Sequence, residues 1–232
     1  MKPIEGTING VCTKIAIVYL AIVSCFVGQV TTTKTDKPSK EYPVEFENKW
    51  TLAYATDFSK ETSQSEWSVM IGNAIVTEDA LVLRADTGYT QIILKKPYFL
   101  SPSLRMEVGA YVTEYGKLSE INLFLHSNEA GYQGSYFFQF GTEQGKVNRL
   151  LRIGKIVKET VVNKVLPERE HLYRIVAEND RGHIRFEVDG TNLYEWDDIN
   201  PLWGPEHCYI GFYARESVIA IDYVKIFHKV PK

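Results

Sequence analysis

The chain has 232 residues, 44% of them hydrophobic and 12% aromatic, with 26 basic and 29 acidic side chains and a net charge of −3. That length holds one large domain plus a terminal segment, and the mild acidity excludes the basic face on which nucleic-acid binders depend. Three cysteines, Cys12, Cys25 and Cys208, make no disulfide framework, and Cys208, in an alternating apolar stretch, reads as a buried thiol.

At the N-terminus, Lys2 and Lys14 precede a charge-free apolar run, IAIVYLAIVSCFV at 15–27, and charge returns only at Lys34. A basic start, a short apolar core and small residues after it form the pattern of a secretory signal. The run contains Ile22-Val23-Ser24-Cys25, which resembles a bacterial lipobox with Ile in place of Leu at its first position. The resemblance implies lipidation of Cys25 and a membrane attachment outside the cytoplasm. Ordinary signal cleavage nearby and retention as an uncleaved anchor are the alternatives, although the run is shorter than the ~20 residues of a spanning helix. Residues 1–25 are read as the signal. Residues 26–43, rich in Thr, Lys, Ser and Pro without periodicity, are read as a flexible tether. The folded domain then occupies 44–232.

Beyond Trp50, short alternating runs are separated by turn residues. Strands are predicted over Trp50–Phe58, Ala80–Ala85, Thr90–Leu94, Leu104–Val112, Glu120–His126, Ser135–Gly141, Arg149–Ile153 and Ile156–Val162. Turn signals fall at Asp86-Thr87-Gly88, Ser101-Pro102, Asn128–Gly131, Gly141–Gly145 and Gly154-Lys155. A meander follows: Leu172–Ala177, a break at Asp180-Arg181-Gly182, His183–Val188, an Asp189-Gly190 turn, and Leu193–Trp196. "IGFY" and "IDYVKIF" supply two final strands. No window shows a long helical period, so the class is all-β, an antiparallel β-sandwich or jelly roll.

The alternation also assigns faces. Met106, Val108, Ala110 and Val112 point one way, and Arg105, Glu107, Gly109 and Tyr111 the other. Ile121, Leu123 and Leu125 oppose Glu120, Asn122, Phe124 and His126. Cys208, Ile210 and Phe212 oppose Tyr209, Gly211, Tyr213 and Arg215. In Ser135–Phe140, Tyr136, Phe138 and Phe140 compete with Ser135, Phe137 and Gln139 for the core side. The second set is rich in His, Asn, Gln, Tyr, Phe and Arg rather than Lys, Thr, Glu and Ser. Flat rings beside planar donors and acceptors suit sugars, which have apolar C–H faces and hydroxyl edges. The competing reading is a second buried layer under long loops.

The C-terminal order of pieces, HLYRIVAENDRGHIRFEVDGTNLYEW followed by GPEHCYIGFYARESVIAIDYVKIFH, resembles the concanavalin A-like lectin/glucanase superfamily. It is most similar to the branch of bacterial secreted 3-keto-glycoside hydrolase-type domains and related polysaccharide-utilisation proteins. The resemblance implies a concanavalin A-like sandwich, a ligand groove on the concave face of a sheet, and carbohydrate as the partner. The chain departs from the pattern in two places. Retaining glucanases of the superfamily carry E-x-D-x-x-E, and here Glu187-Val188-Asp189 runs into a turn. The hydrolase-type branch shows N-S-G followed by alternating hydrophobics, and here Asn122-Leu123-Phe124-Leu125-His126-Ser127 keeps only the Asn.

Among catalytic candidates, Glu107 and Glu120 are expected on one face of neighbouring strands with His126 beyond them, a set able to act as acid and base. The bland alternative pairs Glu107 with Arg105 or Arg149 and leaves His126 as a sugar hydrogen-bonder or solvated. Tyr111, Asn122, Phe124, Gln139, Arg149 and Tyr213 are the expected substrate-binding residues. Trp203, between Pro201 and Gly204, sits either at the groove rim or as a plug in the sandwich end. YFFQFG followed by NRLLR resembles a recurrent hairpin of secreted sandwiches and puts Gln139 with Arg149 or Arg152 at the groove. Arginine there suits a uronate carboxylate or a sulfate, and a plain cross-strand polar pair is the alternative. The five histidines lack metal-ligand spacing, so no cofactor is expected. A structural calcium, implied by the superfamily alone, would fall to Asp57 and Asp222 within a carbonyl-plus-carboxylate set. The expected activity is therefore glycoside hydrolysis or non-catalytic glycan binding.

Overall fold

Antiparallel pairing organises all thirteen strands of the computed structural model, which describes residues 48–59, 65–77, 79–95, 101–114, 119–161 and 167–232. These residues belong to a unit spanning Ser39–Lys232. The signal, Cys25 and the tether lie outside the described residues. In chain order the strands are β1 (Thr51–Thr56), β2 (Trp67–Ile71), β3 (Asn73–Val76), β4 (Leu81–Leu94), β5 (Ser103–Glu114), β6 (Ile121–Ser127), β7 (Tyr136–Gly141), β8 (Val147–Arg152), β9 (Lys155–Val161), β10 (Tyr173–Asp180), β11 (His183–Val188), β12 (Thr191–Asp197) and β13 (Tyr209–His228). Among the described residues no helix is long and apolar enough to cross a membrane.

Two layers share β13. Its first half, Tyr209–Arg215, pairs with β6 and with the end of β4, and the sheet continues β6-β7-β8-β9. Its second half pairs with β5, and that layer continues β10-β11-β12. The layers meet face to face through aromatic contacts, Phe138 on Phe186 at 5.3 Å and Phe140 on Tyr173 at 5.1 Å between ring centroids. The result is a β-sandwich.

The alternation predicted the core. Ile121, Leu123, Leu125, Met106, Val108, Ala110, Val112, Ile210 and Phe212 all lie in one buried cluster. The ambiguous β7 resolves with Tyr136, Phe138 and Phe140 inward, and Cys208 is buried. The turn signals hold at Arg181-Gly182 and Asp189-Gly190, whereas the turn expected at Gly154-Lys155 falls one residue earlier. Ile153-Gly154, Arg181-Gly182 and Asp189-Gly190 each close a two-residue hairpin with both residues at positive φ. That is the primed-turn geometry whose twist matches the strands it joins.

The structure corrects the strand list in three places. Thr87 and its neighbours do not end a strand: β4 runs through, because residues 86–88 bulge out between the pairs Ala85–Ser217 and Tyr89–Arg215. β13 is one strand of 20 residues rather than two. Shifts at Glu216, where φ is 46°, and at Asp222 let it bend from one layer into the other. β2 and β3 are additional, both paired to β4.

Candidate functional site

Register places the outer face of the β4-β13-β6-β7-β8 sheet in rows. One row is polar: Gln91, Tyr213, Asn122, Gln139, Arg149 and Glu159, each the direct cross-strand partner of the next. The adjacent row is apolar: Ile93, Gly211, Phe124, Phe137 and Leu151. The rows follow from the two-residue period of each strand, since the inward partners of these positions fill the main core. Phe124, Phe137 and Tyr213 make a second, smaller apolar cluster on this outer side, with Ile93, Tyr132 and Leu151 against it.

Gly211 lets the rows pack. A Cβ there would stand 2.0 Å from the Ile92 carbonyl oxygen and 2.5 Å from Cζ of Phe124, so Phe124 occupies space that any other residue at 211 would fill. Tyr132 comes from the helical turn Gly131–Gly134 and closes over the sheet. Its ring lies 4.6 Å from Tyr213 and 5.0 Å from Phe137. Tyr89 stacks on the same Tyr213 at 5.5 Å. Burial pushes the Tyr213 phenol above its ordinary pKa.

A concavity of about 370 Å³ opens on this face, lined by Glu120, Tyr132, Phe137, Gln139, Thr142, Glu143, Arg149, Leu151, Tyr213 and Arg215. Glu120 forms its floor, 2% exposed. Its Oε1 accepts from Asn122 Nδ2 at 3.0 Å, and its Oε2 has no hydrogen bond. Burial raises this carboxyl's pKa above the usual range, although Thr142, Asn122, Arg215 and Arg149 act against the rise. Thr142 and Glu143 come from the turn after β7, where Glu143 sits at φ 52°. Arg149 is clamped by Glu159 on Nε and Glu143 on Nη2. Gln139 stays half-buried.

Of the expected site residues, the structure brings Glu120, Asn122, Phe124, Gln139, Arg149 and Tyr213 together on this face. Phe124 is fully buried and supports Phe137 and Tyr213 from below rather than meeting solvent.

Glu107 and Tyr111 belong elsewhere. β5 lies in the other layer, and its outward residues Arg105, Glu107 and Tyr111 face away from the concavity. Glu107 is held by Arg174 at 2.5 Å and Lys225 at 3.6 Å. Burial works against its ionisation, but Arg174 and Lys225 hold the carboxyl below the usual range. Glu107 is a member of a surface ion-pair ladder and cannot act with Glu120.

His126 also leaves the expected face. Leu125 and His126 together oppose Ile210, so β6 bulges, and His126 takes φ 51°. Its ring meets Tyr136 edge-on at 6.2 Å and is fully buried, with neither nitrogen hydrogen-bonded. Burial lowers its pKa to about 3, and a neutral, sealed imidazole is no acid or base for a ligand. Trp203 lies in a loop fixed at the far end of β7. The Tyr136 hydroxyl donates to Asp198 Oδ2 at 2.6 Å and accepts from Leu202 N at 2.9 Å, and Arg152 also binds Asp198. Trp203 and Arg152 do not line the concavity.

The sequence reading missed Tyr132, Thr142 and Glu143, all on turns. Their turn residues were visible, but no periodicity tells which way a turn folds. For calcium, Asp57 accepts from Ser59 N and Oγ. Among the described residues no group of three or more His, Cys, Asp or Glu side chains is placed to hold a metal.

No protein-family model and no curated protein sequence matches the chain. Solved structures share its fold. The carbohydrate-binding module CBM66 from Bacillus subtilis superposes with a TM-score of 0.55 at 12% identity, over 68% of this chain and 92% of that one. The exoplasmic/lumenal domain of VIP36, bound to Ca2+ and Man2, gives 0.58 at 14%, over 78% and 90%. The endo-β-1,3-glucanase of Pyrococcus furiosus gives 0.57 at 14%, over 79% and 96%. These likenesses establish a lectin- and glucanase-type β-sandwich fold.

Proposed function

We propose that the protein binds carbohydrate on the outer face of the β4-β13-β6-β7-β8 sheet. The observation that carries this reading is the pair of adjacent rows, one of amides and charged groups and one of rings and aliphatics, opening into a single concavity. Tyr132, half-buried, offers ring surface to the C–H face of a sugar, over the nearly buried Phe137 and Tyr213 rings that line the concavity. Gln139 and the arginines offer donors to its hydroxyls. The similar folds of a carbohydrate-binding module, of a domain with bound Man2 and of a glucanase support the same class of ligand.

The test is a glycan panel measured by calorimetry. Tyr213→Ala and Tyr132→Ala are expected to weaken the best ligand by about tenfold or more, the loss of roughly 1.4 kcal/mol of contact. Undiminished binding by both variants with their melting unchanged sinks the assignment.

One observation favours a catalytic second reading. Glu120 is a buried carboxyl in the concavity whose pKa is raised, and a shift in that direction suits a general acid. Glu143, the other carboxylate lining the site, is tied to Arg149. Glu120→Gln separates the readings: lost turnover with binding retained favours hydrolysis, and absence of turnover in the unaltered protein leaves binding alone. The reading includes envelope attachment through Cys25, supported by the 22–25 motif. Cys25→Ala is expected to leave the membrane fraction, and unchanged retention removes the anchor.

A further inference from the structure

Arginine pairing across the molecule singles out one residue. All nine arginines of the chain fall among the described residues. Arg84, Arg105, Arg149, Arg152, Arg169, Arg174, Arg181 and Arg185 each make an ion pair. Arg215 makes no ion pair or hydrogen bond among the described residues, is exposed, and lines the concavity. It follows Tyr213 by two residues on β13, so it extends the same face, and its cross-strand partner is Tyr89.

Its acidic neighbours are placed elsewhere. Glu143 is committed to Arg149, which Glu159 also binds. Glu120 lies beneath the site and makes no ion pair with Arg215; burial raises its pKa, and the Arg215 charge is among those acting against the rise. The concavity therefore holds a guanidinium with no ion-pair partner among the described residues, beside the Tyr132, Phe137 and Tyr213 rings.

We infer that this site takes an acidic sugar, a ring bearing a carboxylate or a sulfate, with Arg215 as the anion-binding residue. The inference rests on the carbohydrate reading above and narrows it. A planar guanidinium matches either anion with two parallel hydrogen bonds. A neutral sugar would leave the Arg215 guanidinium without an ion-pair partner.

The experiment compares matched ligands on the full-length chain: an oligouronate against its neutral counterpart of equal length, and a sulfated oligosaccharide against its unsulfated form. The acidic member of at least one pair is expected to bind about tenfold tighter, the scale of one charge-assisted pair. That preference should shrink as salt rises from ~0.02 to ~0.5 M. Preference within the uronate pair identifies a carboxylate, and preference within the sulfate pair identifies a sulfate. Arg215→Ala should erase the preference and Arg215→Lys should keep part of it, with melting unchanged because the side chain is exposed. Equal binding of acidic and neutral members, or a preference that survives Arg215→Ala, overturns the inference. If Tyr213→Ala still weakens binding in that case, the carbohydrate reading stands without it. Failure of every glycan to bind overturns both.

Discussion

His126 shows how one residue can escape its strand's pattern. Alternation puts it on the ligand face, yet the bulge opposite Ile210 turns it inward, where it is fully buried. Its pKa falls from about 6.5 in the unfolded chain to about 3 in the fold. The unfolded state therefore takes up a proton below pH 6.5 that the fold refuses. The stability tied to this neutral ring is full above pH 6.5 and is lost as pH falls toward the folded value. The slope approaches ~1.4 kcal/mol per pH unit. Replacement by Phe, which keeps the ring against Tyr136, should flatten the difference in urea midpoint between pH 6 and pH 4. An acid limb identical to that of the unaltered protein would contradict this. Gly211 makes the complementary case. Gly211→Ala must push β4 from β13 or displace Phe124. It is expected to cost about 1–3 kcal/mol and to lower glycan affinity together with stability.

At the level of strands, β6 and β13 carry both the core and the site. β6 is buried along its whole length: Ile121, Leu123 and Leu125 fill the main cluster while Phe124 supports the outer one. Leu123→Ala leaves a cavity between the layers and should cost about 2–5 kcal/mol in chemical denaturation. A loss under ~0.5 kcal/mol would mean Leu123 is not in the core. In β13 the bend depends on Glu216, held at φ 46°. A side chain there pays for a left-handed conformation that glycine adopts freely. Glu216→Gly is expected to be neutral or to stabilise by about 1 kcal/mol, and Glu216→Val to destabilise, since branching at Cβ crowds that conformation. The ranking of urea midpoints, Gly above Glu above Val, checks this.

Because β13 pairs with β1, β4, β5 and β6, neither layer can lose its strands without exposing the other's inner face. Unfolding should therefore be a single transition, with coincident midpoints by far-ultraviolet circular dichroism and tryptophan fluorescence. Trp67 in the core and Trp196 on β12 report from the two layers. Separated midpoints would show the layers unfolding independently. The same sharing sets the site: the strand that ties the layers together also presents Tyr213 and Arg215 at the concavity.

The two-residue period and the positive-φ turn residues are local properties, so the sequence alone determined the all-β class, the hairpin turns at Arg181-Gly182 and Asp189-Gly190, and the inward residues of β5 and β6, while packing decided which side of β7 turns inward. It also placed Asn122, Phe124 and Tyr213 on outward positions, because each lies in an unbroken run. What pairs with what is not local. Glu107 and Glu120 look alike in alternation, yet β13 stands between their strands and sends them to different layers, where Arg174 claims one and burial the other. A bulge shifts the period by one residue without changing composition, which is why His126 read as an acid–base candidate on the open face and β13 as two strands. Tyr132 and Glu143 reach the site from turns, whose direction depends on what they pack against. The isolation of Arg215 emerges only when every other arginine is seen with its partner, because an ion pair is made by atoms distant in sequence and close in space.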